Sequence, residues 1–427
     1  MNTKQIVAVF VVAVIVIAAA AVVLSRNNGD DSTPPVSGEV QSGAFYGNVN
    51  GDSRVDETDK SVIESIIDGE YTLEDYPLAD ANLDGVVDQN DLDVVDSVIN
   101  NEQTTVYVVN ATNNAVTVPY PIGNFAVSAG TNMKSIISIL GLGDMDNLKG
   151  VALDTGDVSD VLDSKLGSAL DEGRITCLTE DSRKLTAESL NLLTQNRIDL
   201  VFSEESGMST EAEVVSAIEN LGISYLEFNL MNFDDQIMAI SSMGILLGSE
   251  DEAERYISWS QGVLDAIRES EGNQYGTKTV LCVVMSNSVS GSSSDYYVAS
   301  EMAGGDNLAD WEDSTKKFNE GDNWLLDGKY NADYIFHFRT LVYPDGMSQD
   351  DIAKYAGYFE DTYTYQNDGY YLINGSLPLP VRLAVMAETM YGDCFDEGWS
   401  QSIFQEYVTE ILGADYDVSQ SVYIWNA

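Results

Sequence analysis

"GSEDEAERYISWSQGVLDAIRES", residues 248–270, decides how this chain folds. Ser249 followed by Glu252 reads as a capping box, in which the two side chains satisfy the first free N–H groups of a helix. Ala253, Tyr256, Ile257, Val263, Leu264 and Ile267 then form an apolar stripe at helical spacing. Strand-like apolar runs lie on both sides of it. The reading is one long helix between two α/β lobes.

Upstream, "FAVSAG" (125–130), "KGVALD" (149–154), "IDLVFSE" (198–204) and "GISYLEFN" (222–229) read as strands. "NMKSIISILGL" (132–142), "TAESLNLLTQN" (186–196) and "TEAEVVSAIENLG" (210–222) read as helices between them, an alternation that argues a parallel sheet. Downstream the pattern restarts with strands "KTVLCVVMS" (278–286), "NADYIFHFRT" (331–340) and "GYYLING" (369–375), and a closing helix "QSIFQEYVTEILG" (401–413).

Ligands of open α/β sheets meet the loops at the carboxyl ends of the strands. That rule nominates Gly130, Thr131, Asn132 and Ser203 to Ser206 in the first lobe, where Glu204 and Glu205 either ligate a metal directly or serve a surface or docking role. In the second lobe it nominates Ser286, Asn287, Arg339 and Thr340. Tyr296, Tyr297, Trp311 and Trp324 fall in second-lobe loops and are candidates to stack on a macrocycle or chelate. Arg339 either neutralises an anionic ligand or pairs with one of the many carboxylates. His337 lies in an apolar strand and reads as a core residue.

The chain of 427 residues carries 20 basic against 70 acidic residues, a formal charge of -50, with an ordinary 44% of hydrophobic residues. That balance excludes a nucleic-acid partner, whose phosphates the surface would repel. The single histidine and three cysteines (Cys177, Cys282, Cys394) leave no material for a His- or Cys-rich zinc site. Cys282 and Cys394 have the option of pairing; otherwise all three read as buried small hydrophobes. With no GxSxG, no P-loop and no cysteine–histidine pair, an enzyme is disfavoured.

Ile6–Leu24, "IVAVFVVAVIVIAAAAVVL", holds no charge and no helix breaker. As a helix it spans about 28 Å, near the thickness of a bilayer core. Its length favours an uncleaved single-pass anchor with the bulk outside; secretion after cleavage near "AAAA" (18–21) is the alternative. Residues 27–43 then read as a flexible linker.

Residues 48–59, "NVNGDSRVDETD", return at 80–91 as "DANLDGVVDQND", with apolar and acidic positions in phase. Calcium takes six to eight oxygens from a loop bent around the ion. The first loop offers Asn48, Asn50, Asp52, the Arg54 carbonyl and Asp59. The second offers Asp80, Asn82, Asp84, the Val86 carbonyl and Asp91, with Gly85 at the sharp turn. Asn48 and Ser53 stand where aspartate and glycine are usual, so the first loop is the weaker. Aspartate at position 12 and a loop followed but not preceded by a helix resemble the dockerin module of cellulosomal and archaeal surface proteins, over about 44–103. The resemblance implies bound Ca2+ and a cohesin-type partner chosen through Glu57, Thr58, Gln89 and Asn90.

The remainder, about 104–427, is similar to the substrate-binding proteins of iron-siderophore, haem and cobalamin ABC importers. The likeness rests on "VTVPYPIGNFAVSAGTNMKSIISILGLGD" (116–144), "RIDLVFSE" (197–204), "LGISYLEFN" (221–229), "GILLGSEDEAERYI" (244–257), "MAGGDNLAD" (302–310) and "YNADYIF" (330–336). It implies a helical-backbone periplasmic-binding-protein fold, an ABC permease as partner, and a metal chelate, haem or corrinoid as ligand.

The expected organisation is therefore an anchor or signal (1–26), a linker (27–43), a calcium module (44–103), lobe 1 (104–247), the interlobe helix (248–271) and lobe 2 (272–427). The alternative is a surface scaffold or adhesion protein in which the calcium module mediates assembly and the lobes bind nothing or a different ligand.

Overall fold

The structure is a computed structural model that describes residues 40–179, 183–205, 210–230, 232–319 and 322–426. The expected anchor at 6–24 and Ser206 lie outside them. Among the described residues no helix is long and apolar enough to cross a membrane. The chain divides after Pro121 into two compact units.

The first unit is built on the duplicated loops. Each loop runs into a helix, Glu57–Ile67 or Gln89–Ile99, that opens with a reciprocal capping box made by Asp56 and Asp59 or by Asp88 and Asp91. Both helices turn their apolar residues onto one small core of Val49, Ile63, Ala79, Ala81, Leu92 and Val95, with Val55 and Val87 packed against it. Lys60 joins the two helices through an ion pair to Asp96 at 2.6 Å.

The strands that follow, β1 (Thr104–Val109) and β2 (Ala115–Tyr120), form an antiparallel hairpin within this unit, not the start of a lobe. The reason is backbone pairing. Gly43 N–H donates to the Val109 carbonyl at 2.8 Å, Tyr46 N–H to Tyr107 at 3.0 Å, and Val109 N–H to Ala44 at 2.9 Å. The Tyr120 hydroxyl donates to the Val98 carbonyl at 3.3 Å.

The second unit has two sheets. The first is wholly parallel, made of β3 (Asn124–Ser128), β4 (Leu148–Ala152), β5 (Thr176–Thr179), β6 (Ile198–Glu204) and β7 (Ser224–Phe228), in the order 5-4-3-6-7. The chain reverses direction across the sheet between β3 and β6. Phe125, Phe202 and Phe228 line up behind that point with neighbouring centroids 5.9 and 6.2 Å apart.

The second sheet has a parallel centre of β8 (Lys278–Val284), β12 (Tyr334–Arg339) and β13 (Tyr370–Asn374). Four short strands extend it: β9 (Ser288–Ser290), β10 (Gly305–Asn307), β11 (Thr315–Lys317) and β14 (Ile424–Asn426). Each of the four has three residues, too few to carry a readable alternation.

Between the sheets runs the helix Glu250–Glu271, the longest described, with Ala253, Tyr256, Val263, Leu264 and Ile267 buried. Its expected capping box is absent, because the Ser249 hydroxyl is drawn to the Leu140 carbonyl at 3.3 Å. The helix before it, Phe233–Leu247, ends on left-handed Gly248 (φ 69°). That residue lets the two helices fold against each other. A Cβ at Gly244 would stand 2.8 Å from that of Ala253. On the second-lobe side, Trp259 packs on Tyr407 with centroids 5.7 Å apart, and its indole N–H meets the Glu406 carboxylate at 3.3 Å.

The closing helix lies two residues earlier than the expected span 401–413. It is α-helical over Trp399–Glu406 and continues as a π-turn over Tyr407–Ile411. All three cysteines are free thiols, so Cys282 and Cys394 are not paired. Only Cys282 is fully buried; Cys177 and Cys394 are half-buried. Gly244→Val is expected to overpack the helix–helix contact and cost about 1–3 kcal/mol, read as a lower urea midpoint with an unchanged slope.

Candidate functional site

The first-lobe crevice forms where β3 and β6 part. Gly130 ends the β3 loop and Thr131–Ile139 begins a helix with no side-chain cap of its own at Gly130. Glu204, the last residue of β6, supplies the acceptor instead. Its carboxylate takes the Met133 N–H at 3.1 Å and the Asn132 side-chain amide at 2.9 Å. Burial pushes the Glu204 carboxyl up, while those two bonds and the charge of Arg183 pull it down. A Cβ on Gly130 would displace the Glu204 carboxylate. Glu204 and Asn132 thus build the crevice wall and hold each other.

Thr131 lines a water-sized cavity together with Gly130, Lys134, Asp154, Asp157 and Arg183. Lys134 is the centre of this wall. Its ammonium pairs with Asp163 at 3.1 Å, with side chains only 9% and 3% exposed, and also meets the Asp157 carbonyl. Arg183 pairs with the Asp157 carboxylate at 2.5 Å. The segment 154–163 is thereby strapped to the first lobe. It also reaches the second, since the Ser159 hydroxyl donates to the Tyr343 carbonyl. A second, water-sized cavity lies at this crossing, lined by Lys134, Ser159 and Asp163 from one lobe and Leu341, Tyr343 and Ser376 from the other.

Sequence reasoning missed Lys134, Asp157, Ser159, Asp163 and Arg183. The available signal was scarcity: Lys134 and Arg183 are two of only 20 basic residues, and "NMK" falls just after the first predicted strand.

The second lobe disperses its expected residues. Tyr296 and Tyr297 sit on the helix Asp295–Met302, not in a loop. Tyr296 packs on Phe338 at 4.8 Å under the Arg382 guanidinium at 5.6 Å. Tyr297 packs against the lobe's core. Trp324 joins an aromatic cluster with Trp311, Phe318 and Tyr330, the Lys316 ammonium 4.2 Å above its ring, and its indole N–H donates to the Lys317 carbonyl at 3.1 Å. These rings pack against one another edge to face.

Arg339 does stand at a strand's carboxyl end. Its guanidinium carbon lies 4.4 Å over the Tyr355 ring and Nη2 donates to the Tyr355 hydroxyl at 3.1 Å. His337 is fully buried, as expected for a core residue. Its Nε2–H donates to the Met285 carbonyl at 2.6 Å, and Nδ1 accepts from the Tyr370 hydroxyl at 2.5 Å. Burial lowers its pKa to about 4.

The two loops of the first unit turn side-chain oxygens inward. In the second, Asp80 accepts the N–H groups of Asp84 at 3.1 Å and Gly85 at 2.9 Å. Asn82 accepts that of Asp84 at 2.8 Å, and Asp84 that of Val86 at 2.9 Å. Gly85 has φ 91°, which explains why glycine suits that position. In the first loop, Asp52 accepts the Arg54 N–H at 2.8 Å, Asn50 that of Asp52 at 3.0 Å, and Asp59 that of Val49 at 2.7 Å.

Asn48 Oδ1 is buried without a partner, an acceptor left facing the first loop. Burial, with a further push from Asp52, raises Asp59 to about 6 against three backbone hydrogen bonds. Among the described residues no three His, Cys, Asp or Glu side chains gather as a metal site. The donors that fit a hard cation here include the amide oxygens of Asn48, Asn50 and Asn82 and the carbonyls of Arg54 and Val86.

No protein-family model matches the chain, and no curated protein matches it in sequence. Solved structures do. Helicobacter pylori CeuE with Ni(II) bound superposes with a TM-score of 0.55 at 17% identity, covering 74% of this chain and 99% of that one. The TroA-like periplasmic binding protein FepB from Veillonella parvula gives 0.54 at 14%, covering 75% and 99%. The Haemophilus influenzae molybdate-binding protein MolA gives 0.56 at 14%, covering 73% and 98%. The two-lobed unit therefore has the fold of TroA-like periplasmic solute-binding proteins.

The low pKa of His337 fixes the sign of one pH effect. The folded protein holds the imidazole neutral to about 4, whereas the unfolded chain protonates it below roughly 6.5. Its contribution is full above that value and is lost as pH falls toward 4, up to about 3 kcal/mol. Between pH 7 and 4, His337→Phe is expected to lose less stability than the parent protein in urea titrations; parallel curves would contradict this.

Proposed function

We propose that this protein is the extracytoplasmic substrate-binding component of an ABC importer, held to the membrane through residues 6–24, and that it delivers a metal chelate to the permease. A ferric siderophore, haem or a corrinoid is the ligand class. The observation that carries this reading is the crossing of the two lobes. Loops at the carboxyl ends of both sheets meet around Lys134, Ser159, Tyr343 and Ser376, the place where open α/β sheets take their ligands. The neighbours in fold are solute-binding proteins, not enzymes.

The test is thermal melting with a ferric tris-catecholate, a ferric hydroxamate, haemin and cyanocobalamin. A ligand present at a hundred times its Kd adds about 2.7 kcal/mol of stability, so one of the four should raise the melting temperature by several degrees. No shift with any of them, alongside a shift with calcium, would favour the scaffold reading, in which the loop module does the work.

The loop module is proposed to bind calcium, and through it a cohesin-type partner. The second loop carries three side-chain carboxylates among its ligand positions (Asp80, Asp84, Asp91) and the first carries two (Asp52, Asp59). Asp84→Ala is therefore expected to weaken calcium binding much more than Asn48→Ala in calorimetry. Equal losses would refute that ranking.

A further inference from the structure

The second lobe contains two hydrogen-bond donors that nothing satisfies, side by side. Arg339 and Asn374 are the last residues of β12 and β13 and are direct partners in the parallel register. They therefore project from the same face of the sheet. Asn374 is 0% exposed. Its Oδ1 accepts the Ser376 N–H at 2.9 Å and the Leu341 N–H at 3.3 Å. Those two bonds fix which way the amide points, and its NH2 group is left buried without a partner. Arg339 Nε is also buried without a partner, while the rest of the guanidinium is held by Tyr355.

The contrast with the first lobe makes this informative. There the buried Lys134 meets Asp163, and Arg183 meets Asp157. With 70 acidic residues available, a guanidinium left without a carboxylate is unusual. Among the described residues Arg339 has none within ion-pair distance. A buried donor left unpaired is destabilising, more so when charged, so a group brought from outside gains what the fold forgoes. His337 shares the face, but its acceptor nitrogen Nδ1 is already taken by the Tyr370 hydroxyl and its proton by the Met285 carbonyl, so it supplies no competing acceptor.

Both unsatisfied atoms are donors, which defines what they accept. Leu341 and Ser376, the residues bonded to Asn374, line the cavity between the lobes. Resting on the reading of that cleft as the ligand site, we infer that Arg339 and Asn374 receive an oxyanion of the ligand, such as a carboxylate. The ligand is then an anionic molecule or anionic chelate, and a bare divalent cation has no affinity for this end of the cleft. Tyr355 preorganises the guanidinium by stacking, so little side-chain freedom remains to be lost on binding.

Asn374→Asp tests this directly. It keeps the oxygen that accepts from Leu341 and Ser376 and puts a negative oxygen in place of the unpaired NH2 group, beside Arg339. The variant should melt higher than the parent and bind haemin and molybdate about 10- to 100-fold more weakly. Arg339→Met, which removes the charge, should weaken both probes similarly without the rise in melting temperature.

If Asn374→Asp melts higher but binds both probes as the parent does, the two donors merely hold a water, and the inference is overturned. If the parent binds Ni(II) but neither oxyanion probe, the inference fails while the cleft remains a ligand site. If it binds none of the three, while a neutral probe such as cyanocobalamin binds, the inference again fails alone. Silence toward all four removes the cleft reading and the inference together.

Discussion

The packing of the helix Glu250–Glu271 against both lobes is the constraint on which the cleft depends. One side meets the first lobe through the Gly244–Ala253 approach and a hydrogen bond from the Tyr256 hydroxyl to Gln236 at 3.4 Å. Another meets the second through Trp259, Glu406 and Tyr407. Because each sheet is parallel at its centre, all its loops of one kind gather at one end. Joining two such sheets by a single stiff element brings those ends together in the region of segment 154–163. Lys134, Arg183 and Ser159 then join the segment to both lobes.

Charge is managed unevenly around that cleft. The molecule has few cations, and the first lobe uses two of them to neutralise its own strap. A half-formed version of such a buried pair would be strongly destabilising, since removing one partner strands the other charge. The second lobe leaves Arg339 stacked on Tyr355 and unpaired. Arg382, with its own Nε buried and unpartnered, adds positive charge on the other face of the same sheet. In a chain of net charge -50, these are local exceptions: Arg339 ends a strand and Arg382 is buried in the helix Leu379–Tyr391.

The long parallel strands and the interlobe helix were legible because period and apolar runs report burial directly. Ile198–Glu204 was read to the residue. The helices Phe233–Leu247 and Leu379–Tyr391 escaped because most of their residues are buried, which erases the polar face that makes a helical period visible. The hairpin after Thr104 was assigned to a lobe because its alternation says nothing about which backbone it pairs with. The place of Arg339 at a strand end was legible from the sequence, whereas its pairing with Asn374 was not, because it comes from strand register. The packing of Trp324 and Tyr297 was not legible, since an aromatic residue in a polar stretch looks free until the ring it packs on is known.

The distance between the lobes tests the central claim most directly. Spin labels at the exposed positions Ser168 and Asn367, in a Cys177→Ser, Cys394→Ser background, report it by pulsed electron–electron double resonance. A single narrow distance population in the ligand-free protein is the result expected of two sheets held by one packed helix. A broad distribution, or two populations of comparable weight, would show that the helix does not fix the lobes and that the cleft is not preformed.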